Sequence, residues 1–71
     1  MSDVIQINPE ILNGTPTFLG TRVPLKNLFD YIEAGSTVDE FLDDFPSVKR
    51  DQVTQLLNEL REDVVSKTKV A

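Results

Sequence analysis

The chain has 71 residues, with 7 Lys and Arg against 12 Asp and Glu, and it contains no His, Cys or Trp. Without His or Cys, the composition excludes nucleophilic catalysis of the Ser-His type, thiolate chemistry, haem or iron–sulfur ligation and the ordinary structural zinc site. A chain of about 60 residues buries only about 60% of the surface that it exposes when unfolded, so one small domain is expected, stabilised by an economical core or by a partner. We expect no cofactor and no metal.

The negative charge is concentrated in the middle of the chain. The formal net charge is -5, and half of the carboxylates lie between residues 30 and 44. Tight non-specific DNA binding comes largely from Lys and Arg that neutralise phosphates, so an acidic chain is a poor candidate for it. Any contact with DNA must be local and weak.

Nothing in the sequence predicts a membrane segment. No apolar run approaches the 18 or more residues of a membrane span, and the start MSDVIQINPE lacks the basic and apolar regions of a signal peptide. We expect a cytoplasmic protein that does not bind membranes.

Two short β-strands are predicted in the N-terminal segment, residues 1–24. Residues 4–7 and 17–23 are rich in β-branched and aromatic side chains, and prolines bracket both stretches. Gly20 lies where a tight turn can fold the second stretch back on itself. Strands this short expose their edges, so we expect a small β-hairpin and a homodimer that pairs through it.

From Pro24 onward the apolar period changes to that of a helix. A first helix is predicted from Pro24 to Gly35, where a left-handed residue is expected to end it. Its apolar face is formed by Leu25, Leu28, Phe29 and Ile32.

Two more helices are predicted after Gly35. Thr37 and Glu40 have the spacing of a capping box, and Pro46 ends the short helix that they begin. The third helix runs from about residue 49 to the middle sixties, and residues 66–71 are expected to form a flexible tail. The apolar side of the third helix is formed by Val53, Leu56, Leu57, Leu60 and Val64. The sequence therefore predicts a three-helix bundle over residues 25–65.

A short helix, a tight turn and a longer helix also outline a helix-turn-helix motif. The alternative is a three-helix bundle without a role in DNA binding. Opposite the apolar side of the third helix, Asp51 and Glu62 would repel phosphates. The candidate DNA-binding residues on this side and at the helix start are Lys49, Arg50, Thr54, Gln55 and Asn58.

A longer motif spans residues 7–24, INPEILNGTPTFLGTRVP, and is followed by Ala34-Gly35, Phe45-Pro46 and the pair Val53 and Leu56. This pattern resembles a small bacterial family called domain of unknown function 433. The resemblance implies a homeodomain-like helix-turn-helix fold preceded by short strands. For many members it implies the antitoxin of a type II toxin–antitoxin pair, whose toxin resembles a PIN-type ribonuclease. It supplies no catalytic residue.

The Gly-Thr-Arg segment of this motif can be structural or functional. Gly20 can supply a positive φ and Thr21 a local hydrogen bond. Arg22 either braces the strands against Glu10 or a carboxylate of the first helix, or binds a phosphate or a partner's carboxylate. The motif residues that we assign mainly to structure are Gly14, Pro16, Gly20, Thr21, Arg22 and Pro24.

The leading hypothesis is an antitoxin that neutralises a PIN-like ribonuclease toxin and also binds its own promoter. The candidate toxin contacts at the end of the third helix are Arg61, Val65, Lys67, Lys69 and Val70. The alternative is a stand-alone DNA-binding regulator or adaptor without a toxin. An enzyme that binds Mg²⁺ through the central carboxylates is a third reading, but such a charge run is more often a solvated helix face, and we expect no enzyme.

Overall fold

The computed structural model describes residues 3–68. It consists of two short strands followed by three helices, which confirms the predicted mainly α fold with an N-terminal hairpin. The elements are β1 (Ile5–Gln6), β2 (Thr17–Phe18), α1 (Leu25–Glu33), α2 (Val38–Asp44) and α3 (Arg50–Thr68), with a 3-10 turn at Leu12–Gly14.

The two strands form an antiparallel pair in which Ile5 lies opposite Phe18. The second strand is shorter than predicted, because a turn closed by the Thr21 amide and the Phe18 carbonyl ends it (3.0 Å). Beyond the turn the chain does fold back, since the Phe18 amide donates to the Val23 carbonyl at 3.0 Å. An isolated bridge between Thr17 and Pro24 continues this pairing up to the start of α1.

The end of α1 has the predicted left-handed glycine. Gly35 has a φ of +81°, and its amide donates to the carbonyl of Ile32 at 3.0 Å. The amide of Ser36 donates to the carbonyl of Tyr31 at 2.9 Å, which completes a Schellman motif. At the other end Pro24 is the N-cap residue of α1 and not part of its first turn.

The capping box of α2 is also confirmed. The hydroxyl of Thr37 accepts from the amide of Glu40 at 3.1 Å, and the Glu40 carboxylate accepts from the amide of Thr37 at 2.8 Å. At the start of α3 the amide of Lys49 donates to the side-chain oxygen of Gln52 at 2.9 Å. α3 continues to Thr68, three residues beyond the predicted end of the bundle.

A single hydrophobic core joins the strands to the helices. Phe41 of α2 is fully buried at its centre, with its ring 6.0 Å from Phe18 and 5.4 Å from Tyr31. The buried apolar residues are Val4, Phe18, Val23, Leu28, Phe41, Val48, Val53 and Leu56.

The core covers only the first part of α3. Val53 and Leu56 are 1% and 2% exposed, whereas Leu60 and Val64 are 39% and 56% exposed. The predicted apolar side of the helix is therefore covered only in part, since its last two members, Leu60 and Val64, are exposed. The reason is geometric, because the strands and the two short helices pack only against the first turns of a 19-residue helix. Among residues 3–68, no helix is long and apolar enough to cross a bilayer.

Candidate partner-binding surfaces

The C-terminal half of α3 exposes apolar side chains. A 19-residue helix is about 28 Å long. Among its described side chains, Leu56 is the last that is fully buried and Leu57 the last that packs against the core. We call three exposed apolar side chains of this half, Leu60, Val64 and Val65, the α3 stripe; they are 39%, 56% and 59% exposed. Leu60 and Val64 lie on one side of the helix, and Val65 lies about 100° around the helix from Val64. The stripe is available to a partner without any rearrangement of the core.

The predicted basic contacts in this region are neutralised within the helix. Arg61 lies 3.3 Å from a carboxylate oxygen of Glu62, and Lys67 lies 3.2 Å from one of Asp63. Exposed ion pairs of this kind contribute little to stability. This half of α3 therefore offers apolar surface more than net positive charge. Of the other predicted contacts, Val65 belongs to the stripe, and Lys69 and Val70 lie outside the described residues.

The predicted DNA-reading side chains lie on a surface rich in carboxylates. Thr54, Gln55 and Asn58 are all exposed on α3, as the DNA-binding hypothesis requires. The side-chain amide nitrogen of Gln55, however, donates to the Glu59 carboxylate at 3.1 Å. A shallow depression on this side of the helix is lined by Gln55, Asn58, Glu59, Glu62, Asp63 and Ser66.

The two cations at the start of α3 differ in their surroundings. The guanidinium of Arg50 is bound to the carboxylate of Asp39 in α2. Lys49 is exposed and has no carboxylate partner within residues 3–68. A phosphate at this position would have to compete with Asp39 for Arg50.

The Gly-Thr-Arg segment forms a turn that is held by side-chain hydrogen bonds. Gly20 has a φ of +78°, a conformation that glycine adopts most readily. The buried hydroxyl of Thr21 donates to the Phe18 carbonyl at 2.8 Å and accepts from the Val23 amide at 3.1 Å. These contacts give Gly20 and Thr21 a structural role.

Two glutamines outside the predicted site residues attach this turn to the rest of the molecule. The amide nitrogen of Gln6 donates to the Thr21 carbonyl at 2.7 Å, and its oxygen accepts from the Gly20 amide at 3.2 Å. From the other side, the amide nitrogen of Gln52 donates to the Leu19 carbonyl at 3.0 Å. No local pattern could have identified either contact, because each joins segments that are distant in sequence.

Arg22 follows Thr21 in this turn, and its side chain is exposed. Within residues 3–68 it has no ion pair, so the predicted brace against Glu10 or a carboxylate of α1 is not present. Arg22 instead lies at a shallow surface depression. The other residues that line it are Gln6, Ile11, Gly20, Thr21, Val23 and Ser47.

The remaining motif residues have local backbone roles. The carbonyl of Pro16 accepts from the amide of Leu25 at 3.0 Å, which fixes the start of α1 beside the second strand. The carbonyl of Pro24 accepts from the amide of Asn27 at 3.1 Å. Gly14 ends the 3-10 turn with a φ of +84°.

Several central carboxylates make contacts within the domain. Besides Asp39 and Glu40, Asp44 accepts a hydrogen bond from the phenol of Tyr31 at 2.5 Å. This bond, together with desolvation and the negative charges of Asp44 and Glu40, raises the pKa of Tyr31. The bond to Asp30 likewise raises the pKa of Lys26. Within the described part of the chain, no three acidic side chains are grouped so that they can hold a metal ion.

Comparisons with known proteins place this architecture in a family. The sequence profile described as "Protein of unknown function (DUF433)" matches residues 5–58. The chain is also 33% identical over 51 residues to "Uncharacterized protein y4eO" of Sinorhizobium fredii (strain NBRC 101917 / NGR234), an alignment that covers 72% of this chain but 23% of that protein. No solved structure matches the chain significantly. Since the profile match extends from β1 into α3 and covers more than half of the sequence, the chain belongs to the DUF433 family.

Proposed function

We propose that this protein is the antitoxin of a type II toxin–antitoxin pair and that it neutralises a PIN-like ribonuclease toxin through the C-terminal half of α3. The observation that carries the proposal is the α3 stripe. Three apolar side chains are exposed on a helix that continues well beyond the core. An amphipathic helix whose apolar face lies in a groove of the partner is a common mode of protein recognition.

The stripe provides part of the driving force for such a contact. Full burial of a Val or Leu side chain contributes about 1.5–3 kcal/mol relative to exposure, so three partly exposed side chains contribute several kcal/mol at most. Because the helix is already formed in this half of α3, less conformational entropy is lost on binding than in a disordered segment.

Charge supports the same kind of partner. The chain has a net charge of -5. In the same half of α3, three carboxylates outnumber the two cations that pair with them, Arg61 and Lys67. A nuclease groove that binds RNA is basic, and complementary charge across an interface accelerates association and selects partners. The family resemblance supplies the class of the toxin, and the acidic surface is consistent with that class.

The direct test measures binding to the product of the adjacent gene by calorimetry. Val65→Asp places a charge on the stripe and is expected to weaken binding at least tenfold, because the carboxylate would be buried in the contact. Thr54→Asp is the matched control, since Thr54 is also exposed on α3 but lies in the first half of the helix, away from the stripe. It is expected to change affinity less than twofold.

A second measurement tests the remaining predicted contacts. Deletion of residues 66–71 removes Lys67, Lys69 and Val70 and is expected to weaken the same complex while leaving the melting temperature nearly unchanged. If the full chain does not bind the adjacent gene product and does not restore growth when that product is expressed, the antitoxin proposal is wrong. A stand-alone regulator or adaptor would then be the better description.

A further inference from the structure

Arg22 is unusual among the cations of this protein. Four Lys and Arg side chains in residues 3–68 lie within 4 Å of a carboxylate, and only Arg22 and Lys49 do not. In a chain with 12 carboxylates and 7 cations, an exposed arginine has many potential partners. That it binds none of those described leaves its guanidinium free for an external anion.

The backbone on both sides of Arg22 is held in place. Thr21 is 7% exposed, and its hydroxyl is bonded to the Phe18 carbonyl and to the Val23 amide. Gln6 holds the Thr21 carbonyl, so the residue before Arg22 is fixed by both side-chain and main-chain bonds. A rigid base reduces the entropy that is lost when the arginine side chain binds a ligand.

The surface beside Arg22 is largely apolar. Ile11 and Val23 line the same depression, together with the hydroxyl-bearing Ser47. An ion pair that forms against apolar side chains is less screened by water than one on an open surface. Lys49 follows Ser47 by two residues and also lacks a carboxylate partner, so it adds positive potential at this end of the molecule.

We propose that Arg22 and the depression beside it form a second contact with the toxin and receive an Asp or Glu side chain from it. This inference rests on the proposed function, and it names a surface other than the α3 stripe. The guanidinium can donate two parallel hydrogen bonds to a carboxylate, while Ile11 and Val23 contact the apolar residue next to it.

A carboxylate on a protein fits the site better than a DNA phosphate. DNA binding gains its strength from many cations that neutralise successive phosphates, and this end of the described chain offers only two unpaired ones. The apolar lining would also remain uncovered beside a phosphate backbone, whereas a protein segment can cover it.

The test compares charge-matched variants of the full chain in calorimetric titrations with the adjacent gene product. Arg22→Gln is expected to raise the dissociation constant about tenfold, the loss that corresponds to one charge-assisted hydrogen-bonded contact. Arg22→Lys keeps the charge but not the two parallel donors, and it is expected to recover only part of the affinity. Lys26→Gln removes the same charge from a side chain paired with Asp30 and is expected to leave affinity unchanged.

The results of these titrations distinguish the Arg22 contact from the proposed function. An unchanged affinity for Arg22→Gln, with Val65→Asp still harmful, overturns the Arg22 contact and leaves the proposed function intact. Equal losses for Arg22→Gln and Lys26→Gln also overturn it, because they indicate a general charge effect. If Arg22→Gln weakens binding to a promoter duplex but not to the adjacent gene product, the anion is a phosphate and the inference is overturned. If the full chain does not bind the adjacent product at all, both proposals fall. Arg22 has no ion pair within the described chain, so its replacement should leave the stability of the fold unchanged. A melting temperature close to that of the wild type then verifies that the variant is folded.

Discussion

Two threonine side chains are buried in an otherwise apolar interior, and both are satisfied by hydrogen bonds. Thr17 is fully buried, and its hydroxyl accepts from the side-chain amide nitrogen of Gln6 at 3.0 Å. Thr21 is 7% exposed and has the two contacts described above. A buried polar group costs free energy unless it is paired, so these bonds specify which conformation the hairpin adopts.

Removal of the Thr21 hydroxyl is expected to destabilise the domain. Thr21→Val keeps the shape but leaves the Val23 amide and one bond of the Phe18 carbonyl without a partner, which should cost about 1–3 kcal/mol in the free energy of unfolding. Thr15→Val is the control, because the Thr15 hydroxyl also donates to a carbonyl, that of Leu12 at 2.7 Å, but at an exposed position. Urea denaturation should show a loss below about 0.5 kcal/mol for the control. Equal losses would contradict a special role of the buried hydroxyl.

Tyr31 allows a direct test of its contact with Asp44. It is the only tyrosine and there is no tryptophan, so absorbance at alkaline pH reports on this phenol alone. Its pKa is raised, chiefly by the bond to Asp44, and the titration midpoint should lie above the ordinary value of about 10. Asp44→Asn is expected to lower the midpoint, whereas Asp43→Asn, at the neighbouring exposed carboxylate, should change it less.

The raised pKa of Tyr31 determines how the stability of the fold depends on pH. The phenol is held in its neutral form in the folded state, so the contact stabilises the fold below the unfolded pKa of about 10. This contribution is lost as the pH rises through the folded pKa. A wild-type midpoint equal to that of Asp44→Asn would contradict the contact.

At the residue scale, only local interactions could be predicted from the sequence. The capping box and the left-handed Gly35 depend on residues within one turn of each other, so the pattern contains the necessary information. The contacts of Gln6 and Gln52 depend on chain segments brought together by folding. The ion pair expected in one of the two readings of Arg22 is absent for the same reason, because the identity of an ion-pair partner is set by the tertiary structure.

Among the elements, α3 shows most clearly that apolar periodicity predicts a helix but not which surface covers it. Apolar side chains recur at helical spacing from Val53 to Val64, and this correctly predicts an amphipathic helix. The pattern cannot tell whether the facing surface belongs to the same chain. Burial near Leu56 and exposure at Leu60 are decided by the small size of the body that packs on the helix.

Alanine substitutions at these two leucines should separate core from surface. Leu56→Ala is expected to cost about 2–5 kcal/mol in the free energy of unfolding, because it leaves a cavity in the core. Leu60→Ala, at a position that is 39% exposed, should cost less than about 1 kcal/mol. Chemical denaturation of the two variants under identical conditions provides the comparison, and similar losses would mean that a second element covers Leu60.

The sequence predicted that a hairpin forms but not how short its strands are. A β-branched run predicts a strand, yet β1 and β2 have two residues each. The residues after Phe18, which the pattern assigned to the second strand, form a turn at Gly20 instead. The Thr21 hydroxyl and Gln6 stabilise this turn. The sequence showed the turn residue but not the side chains that stabilise the turn.

For the molecule as a whole, we propose a homodimer that forms through the hairpin. In the described sheet β1 pairs only with β2, so its other edge is open, and Ile7 beside it is 67% exposed. Light scattering should give a mass of two chains at high micromolar concentration. Ile7→Lys is expected to shift the mass toward one chain, whereas Ile32→Lys, at an apolar position of α1 that is 44% exposed, should not. A mass of one chain at all concentrations would refute the dimer.

DNA binding by the same molecule is expected to be weak and steeply dependent on salt. Arg50→Ala should lower affinity for all duplexes alike, and Asn58→Ala should act mainly on the operator. Because Asp39 holds Arg50, Asp39→Asn should strengthen binding to any duplex by freeing the guanidinium. Fluorescence anisotropy at two salt concentrations measures these effects. No change in any of the three variants would exclude the start of α3 as the contact.

The uncovered half of α3 has a consequence for the lifetime of the protein. Its backbone hydrogen bonds lie outside the core, so this segment can open locally at a much smaller free-energy cost than global unfolding. Proteases act on such opened segments, and a partner that covers the α3 stripe would keep the segment closed. We therefore expect the uncomplexed protein to be degraded faster than the complex. The ratio of free to bound protein would then depend on how quickly new chains replace those that are degraded.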